Sequence, residues 1–163
     1  DQAIFRGKIA CKDIRVQFVE KFFGNPRFDI GTIDLIKPEW KSDKISIYDH
    51  LKYKYVMALE GNDVASNLKW IMSSNSIAVM PKPYYETWFM EGTLKPDYHY
   101  IEVKPDFSDL EEKMDYYTAH PDEAQAIINH AHEYVEQFKD KQREDIISLM
   151  VLDKYFSLLK SKD

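Results

Sequence analysis

Short apolar runs of strand length alternate with stretches of helical spacing through the first two thirds of the chain, and this alternation limits the fold more than any other feature. Such a pattern builds parallel strands joined by helical crossovers rather than hairpins. Strands are expected near residues 3–5, 28–33, 55–59, 76–80 and 98–103. Between them, residues 12–23 carry helical spacing through Val16, Val19 and Phe23, and residues 64–72 carry it through Val64, Leu68, Ile71 and Met72. Crossovers of this kind are right-handed. The expected fold class is therefore α/β, a Rossmann-like parallel sheet flanked by helices.

The last third changes character. Residues 109–159 contain one proline, no glycine and three segments of helical spacing. Ser108 and Glu111 form a capping-box pattern at the head of a helix expected over 109–117. Pro121 suits the first turn of a second helix over 122–138. A third, over 143–159, places Ile146, Ile147, Met150, Val151, Tyr155, Leu158 and Leu159 on one side. Residues 36–44, with Pro38 and Trp40, read as the long surface loop, and no internal repeat or low-complexity tract interrupts the chain.

At 163 residues the chain is one domain in size, so residues 1–163 are expected to form a single lobe. Its 22 basic and 28 acidic side chains leave a net charge of −6, which argues against broad adhesion to nucleic acid or to an anionic membrane. That balance says nothing of a local basic pocket. The single cysteine, Cys11, excludes an internal disulfide and a multi-thiolate metal site, and makes a reducing compartment the default expectation. No apolar run approaches the roughly 20 residues that span a bilayer. The first residues lack a signal-peptide profile and read almost at once as strand, which suggests a cut rather than a natural start.

In a wound sheet, ligands bind beyond the carboxyl ends of the strands, so the loops after strands are the informative places. The first is Phe5-Arg6-Gly7-Lys8, followed by Lys12 and Arg15. Gly7 permits a tight turn and a close backbone approach, and the four cations could hold a diphosphate. A single glycine is not a dinucleotide fingerprint, and no Walker lysine follows, so a solvated charge cluster is the competing reading.

The second loop is Glu60-Gly61-Asn62-Asp63, where Asn62 or Asp63 could cap the helix and the acidic pair could bind hydroxyls of a sugar or ribose. The third, from Met80 to Phe89, sets Glu86 among Tyr84, Tyr85 and Trp88, rings able to stack on a base or sugar or else to pack beneath a helix. His130 and His132 lie two apart on a helix and cannot chelate one metal; surface positions are expected for both. His50 and His99 have no nucleophile motif beside them. Met57, Met72 and Met150 read as core filler.

Taken in order, Phe5-Arg6-Gly7, Arg15, Tyr53-Lys54-Tyr55, Glu60-Gly61, Ser76, Tyr85-Glu86, Leu94-Lys95-Pro96, His99-Tyr100, Val103-Lys104 and Ser108-Asp109-Leu110 resemble glycosyltransferase family 90 over about residues 5–138. That family includes capsule and lipopolysaccharide glycosyltransferases and the eukaryotic protein O-glucosyltransferases.

The resemblance implies the C-terminal, donor-binding half of a GT-B fold, with residues 139–163 packing on an absent N-terminal lobe that would also hold the general base. It implies inverting transfer from a nucleotide diphosphate sugar, with no cofactor and no required metal. It places Gly7 and Arg15 at diphosphate-contacting positions, Gly61 at the strand-to-helix turn, and Glu86 beside the nucleotide. Arg6, Lys8, Glu60, Asn62, Asp63 and Tyr85 complete the expected site.

The chain departs from the family pattern at Lys8, where many relatives have serine, and at Asn67, where they have arginine. Lys8 or Lys69 is expected to compensate, without the planar grip of a guanidinium. The wording around Glu60-Gly61-Asn62-Asp63 points to the bacterial surface-polysaccharide branch, hence to a polysaccharide or lipid-linked saccharide acceptor. It also points to a cytoplasmic location, with peripheral association at the inner membrane through the full-length enzyme. The competing expectation is a non-catalytic module that binds a nucleotide or phosphosugar, or a protein partner.

Overall fold

The computed structural model describes residues 1–160, so residues 161–163 of the expected C-terminal helical segment lie outside the described residues. The apolar runs become five strands: β1 (Ala3–Gly7), β2 (Phe28–Thr32), β3 (Tyr55–Met57), β4 (Ile77–Met80) and β5 (Ile101–Glu102). All pair in parallel, in the order β2-β1-β3-β4-β5. This is a Rossmann-like α/β sheet. The chain winds outward from β1 to β2, then returns past β1 to build β3, β4 and β5. The winding direction therefore reverses between β1 and β3.

Alternate strand residues feed two separate cores, which is why each strand reads as a continuous apolar run rather than an alternating one. Ala3, Phe5, Tyr55, Met57, Ile77 and Val79 join one core, whereas Ile4, Val56, Ala58, Ala78 and Met80 join the other. Helix α1 (Asp13–Phe22) contributes Phe18, Val19 and Phe22 to the first core, and α4 (Leu110–Ala119) contributes Leu110, Met114 and Tyr117. The second core takes Leu68, Ile71 and Met72 from α3 (Leu68–Met72). Helix α5 (Pro121–Glu136) serves both, through Ile127 and Ile128 in one and Ala131 and Val135 in the other. A four-residue helix, α2 (Ile47–His50), lies beside α3, with His50 edge-on to Trp70.

Several elements differ from expectation for local reasons. The fifth strand is two residues rather than six because Asp97 turns at φ 54° and its amide bonds back to the Tyr100 carbonyl. The third helix begins at Leu68, since Val64 is held in a turn by the Asp63 carboxylate, which accepts from its amide at 2.8 Å. Neither Asn62 nor Asp63 caps it. The capping box at Ser108 does not form either: Asp109 is the N-cap of α4 without a side-chain cap bond, and the Glu111 carboxylate accepts instead from Asn25. Residues 36–44 run over the surface, but Trp40 anchors them in the core.

Helix α6 (Lys141–Lys160) forms as expected, yet its apolar side chains stay uncovered. Met150 is 66% exposed, not core, and Ile146, Leu149, Val151, Tyr155 and Leu158 are exposed with it.

Phe18 touches the rings of Phe5, Phe22, Phe28 and Phe107 and is fully buried. Phe18→Ala is expected to cost about 3–5 kcal/mol of stability, the range for emptying a buried phenyl site. Equilibrium urea unfolding of the two chains measures it.

Candidate functional site

Ligands of doubly wound sheets sit in the crevice beyond the strand ends where the strand order reverses. Here that crevice lies between β1 and β3, and the structure opens a cleft of about 510 Å³ there. Its floor is Phe5, Met57 and Leu59. One wall carries Arg6, Gly7, Lys8, Lys12 and Arg15; the other carries Ile47, His50, Asn62, Ser66, Asn67 and Trp70. The cations of the first loop thus converge, although the chain as a whole is acidic.

They do not all converge as free groups. The Arg15 guanidinium donates to the carbonyl oxygens of Lys8 (2.9 Å), Leu59 (2.6 Å) and Glu60 (2.9 Å), tying the end of β1 to the end of β3. Two of its five N–H groups, one on each terminal nitrogen, keep no protein acceptor among the described residues. Burial pushes its pKa down, and the charge of Asp34 partly offsets this. It remains a cation at neutral pH.

Arg6 pairs with Asp29 at 2.5 Å and donates to two backbone carbonyls, so it supports the wall rather than offering its charge. Lys8 is exposed and its ammonium makes no bond among the described residues, whereas the Lys12 ammonium donates to the Ala10 carbonyl at 3.0 Å. Lys69 does not compensate for the missing arginine. It is bound to Glu91, a carboxylate 1% exposed, at 2.9 Å. The Asn67 amide donates to the Met57 carbonyl, inside the cleft wall.

Asp34 and Glu60, on loops beside the cleft, are engaged internally. Asp34 accepts from the Ile9 and Ala10 amides at 3.0 and 2.8 Å, so those two N–H groups serve the loop's own shape. Glu60 accepts from the Tyr84 and Tyr85 amides at 3.1 and 3.0 Å, which fastens the loop after β4 to the loop after β3. Burial raises the Glu60 pKa, and those two amides moderate the rise. Gly61 is held close to the cation wall. A Cβ there would lie 3.0 Å from the Arg15 guanidinium and 3.2 Å from the Lys12 side chain.

Tyr84 and Tyr85 expose their rings, while Phe89 packs in the core, so the aromatic stretch divides between stacking surface and packing. Glu86 turns toward Gly92 and, with Tyr85, stands outside the cleft lining. Asn62 lines the cleft; Asp63 and Glu60 stand behind it. The histidines of α5 are half-buried rather than free at the surface: His130 stacks on Tyr98, and His132 bonds to the Ser74 carbonyl. The wall of Ile47, His50, Ser66 and Trp70 was not anticipated. Those residues lie on elements separated by up to some twenty positions, and no motif joins them.

The cations thus line the crevice at the switch point, the place where doubly wound sheets bind their ligands. The comparisons with known proteins make this specific. The family model described as Glycosyl transferase family 90 matches residues 1–163. The chain is 43% identical over 162 residues to the O-glucosyltransferase LpsA of Dichelobacter nodosus, covering 98% of this chain and 50% of that protein. It is 28% identical over 170 residues to Protein O-glucosyltransferase 3 of Homo sapiens, covering 99% of this chain and 33% of the human protein. Protein O-glucosyltransferase 2 of Danio rerio matches at 34% over 84 residues, 51% of this chain and 16% of the fish protein. The chain belongs to glycosyltransferase family 90, and it spans half or less of the length of these relatives.

Arg15 anchors three carbonyls and carries charge, so its loss has two separable effects. Arg15→Ala is expected to lower folding stability by about 1.5–3 kcal/mol, the range for hydrogen bonds to a charged group. Arg15→Lys should restore the charge but only part of the stability, since an ammonium cannot span three acceptors in a plane. Thermal unfolding of both variants tests this.

Asp29 predicts an acid-side effect. Burial pushes its pKa up, but hydrogen bonds from Tyr53 and Arg6, with the Arg6 charge, outweigh burial and hold it below the usual value. A depressed carboxylate stabilises the fold above the unfolded pKa, about 3.9, and the contribution disappears as pH falls through the lower folded value. Asp29→Asn should therefore destabilise the chain at pH 7, and the difference from wild type should shrink toward pH 3 in urea titrations.

Proposed function

We propose that the chain is the C-terminal, donor-binding lobe of a glycosyltransferase that moves a sugar from a nucleotide diphosphate sugar to a lipopolysaccharide or capsular polysaccharide acceptor. The observation that carries this reading is the convergence of Lys8, Lys12 and Arg15 on the switch-point cleft, in a chain matched throughout by a glycosyltransferase family. The higher identity to the Dichelobacter protein than to the human one supports the bacterial surface-polysaccharide branch.

In this reading the acceptor hydroxyl oxygen attacks the anomeric carbon as the bond from that carbon to the diphosphate oxygen breaks, with inversion. The leaving diphosphate gains negative charge along this path. Cations that attract it more strongly in the transition state than in the ground state lower the barrier. Lys8, the free N–H groups of Arg15 and the Lys12 ammonium, if it turns from Ala10, would supply that attraction without a metal. The acceptor's proton needs a general base, which the proposal assigns to the N-terminal lobe. Helix α6, its apolar residues uncovered, would pack on that lobe. The enzyme would work in the cytoplasm, peripherally at the inner membrane; no described helix is long and apolar enough to cross a membrane.

Calorimetric titration of the chain with UDP, GDP and CDP tests the reading. One of them is expected to bind saturably. Replacing Lys8 and Lys12 together with alanine should weaken that binding by about a hundredfold or more, since each of the two charged hydrogen bonds lost is worth about 1.5–3 kcal/mol. No binding of any nucleotide, with a tight protein partner instead, would favour the non-catalytic module.

A further inference from the structure

Residues 94–100, which lead from a single helical turn at Glu91–Thr93 into β5, fold back on themselves and pack against α5. Asp97 turns the segment at φ 54°, and its amide bonds to the Tyr100 carbonyl at 2.8 Å. The His99 ring closes this turn from within. Its Nδ1 accepts from the Lys95 amide at 2.9 Å, while the His99 amide donates to the Lys95 carbonyl at 2.9 Å. A backbone N–H can only donate, so Nδ1 carries no proton and the neutral ring holds its proton on Nε2. The ring is buried, with His99 9% exposed.

Helix α5 supplies the seat. Tyr98 stacks flat on His130, the ring centroids 3.6 Å apart, and the His99 ring lies 5.1 Å from that of Tyr134. The Tyr134 hydroxyl also bonds to the Phe89 and Met90 carbonyls at 2.6 and 3.0 Å. The side chain that meets His99 thus also fixes the end of the loop after β4.

This arrangement admits only a neutral imidazole. A proton on Nδ1 would point at the Lys95 amide hydrogen, and that hydrogen bond would be lost. The charge would be poorly placed as well. Lys95 stands on the same turn, its ammonium 5.5 Å from the centre of the Tyr98 ring, and the Asp97 carboxylate is taken by Lys113 of α4 at 2.6 Å. Burial pushes the His99 pKa down, Lys95 and His130 push it further, and the exposed Glu133 of α5 opposes them. An imidazolium is relieved when the ring swings out to water, which lifts Tyr98 off His130 and opens the turn.

We propose that residues 94–100 form a pH-sensitive latch on α5, closed by neutral His99 and opened by its imidazolium, so that the β5 edge of the sheet loosens in mild acid. A histidine whose folded pKa lies below the unfolded value, about 6.5, stabilises in full above that value, and its contribution is lost as pH falls toward the folded one. The latch therefore holds at neutral pH, whatever ligand the cleft takes.

Backbone hydrogen exchange at pH 7.5 and pH 5, read residue by residue by NMR and corrected for intrinsic rates, tests this on wild type and on His99→Asn. The asparagine Oδ1 can replace Nδ1 as acceptor but does not titrate. In wild type, protection of the Lys95, Asp97 and His99 amides is expected to fall by about 3–10-fold at pH 5, the loss of one neutral hydrogen bond, while the amides of β1 and β3 keep theirs. In His99→Asn the turn should be equally protected at both pH values. No fall in wild type, an equal fall in both chains, or a fall shared by β1 and β3 would overturn the latch. Imidazole nitrogen chemical shifts of wild type give a second reading that needs no variant: the Nε2–H tautomer is expected for His99 at pH 7.5, and a proton found on Nδ1 there would overturn it too.

Discussion

The Arg15 guanidinium, bonded at once to carbonyls that end β1 and follow β3, is the constraint on which the cleft depends. A switch point is a place where two adjacent strands send their connections to opposite faces, so nothing in the sheet itself holds their loops at a set distance. Arg15 does this from the first turns of α1. Because the planar fork addresses several acceptors together, it ties the two loops to each other while leaving positive charge at the opening. Gly61 permits the arrangement, since a side chain at that position would meet the guanidinium.

Electrostatic separation follows from the same construction. The protein is acidic, yet Asp34, Glu60, Asp29 and Glu91 are each turned onto specific donors. Asp34 holds two loop amides, Glu60 holds two amides of the next loop, Asp29 holds Arg6 and Tyr53, and Glu91 holds Lys69 and Thr87. These carboxylates shape the loops without opposing an anion at the opening. The positive charge that remains at the opening belongs to lysine side chains and part of one arginine.

The uncovered residues of α6 belong to a different problem. A helix apolar on most of its circumference is stable in water only when something surrounds it. The sheet and its flanking helices leave it bare, and the family relatives are at least twice as long as this chain.

Periodicity and spacing were enough to establish the parallel α/β class, all five strands, both long helices α5 and α6, and the gathering of Arg6, Gly7, Lys8 and Arg15 at one strand end. Those features depend on side chains close together in the chain. Boundaries at Asp97 and Val64, and the unused capping box at Ser108, were settled by hydrogen bonds that compete with the local signal. The commitment of Arg6 to Asp29, of Lys69 to Glu91 and of Arg15 to three carbonyls was decided only by the tertiary structure, as was the wall of His50, Ser66 and Trp70. Each of those contacts joins residues from different crossovers, and which groups meet there depends on the order of the strands, a property that no local pattern encodes.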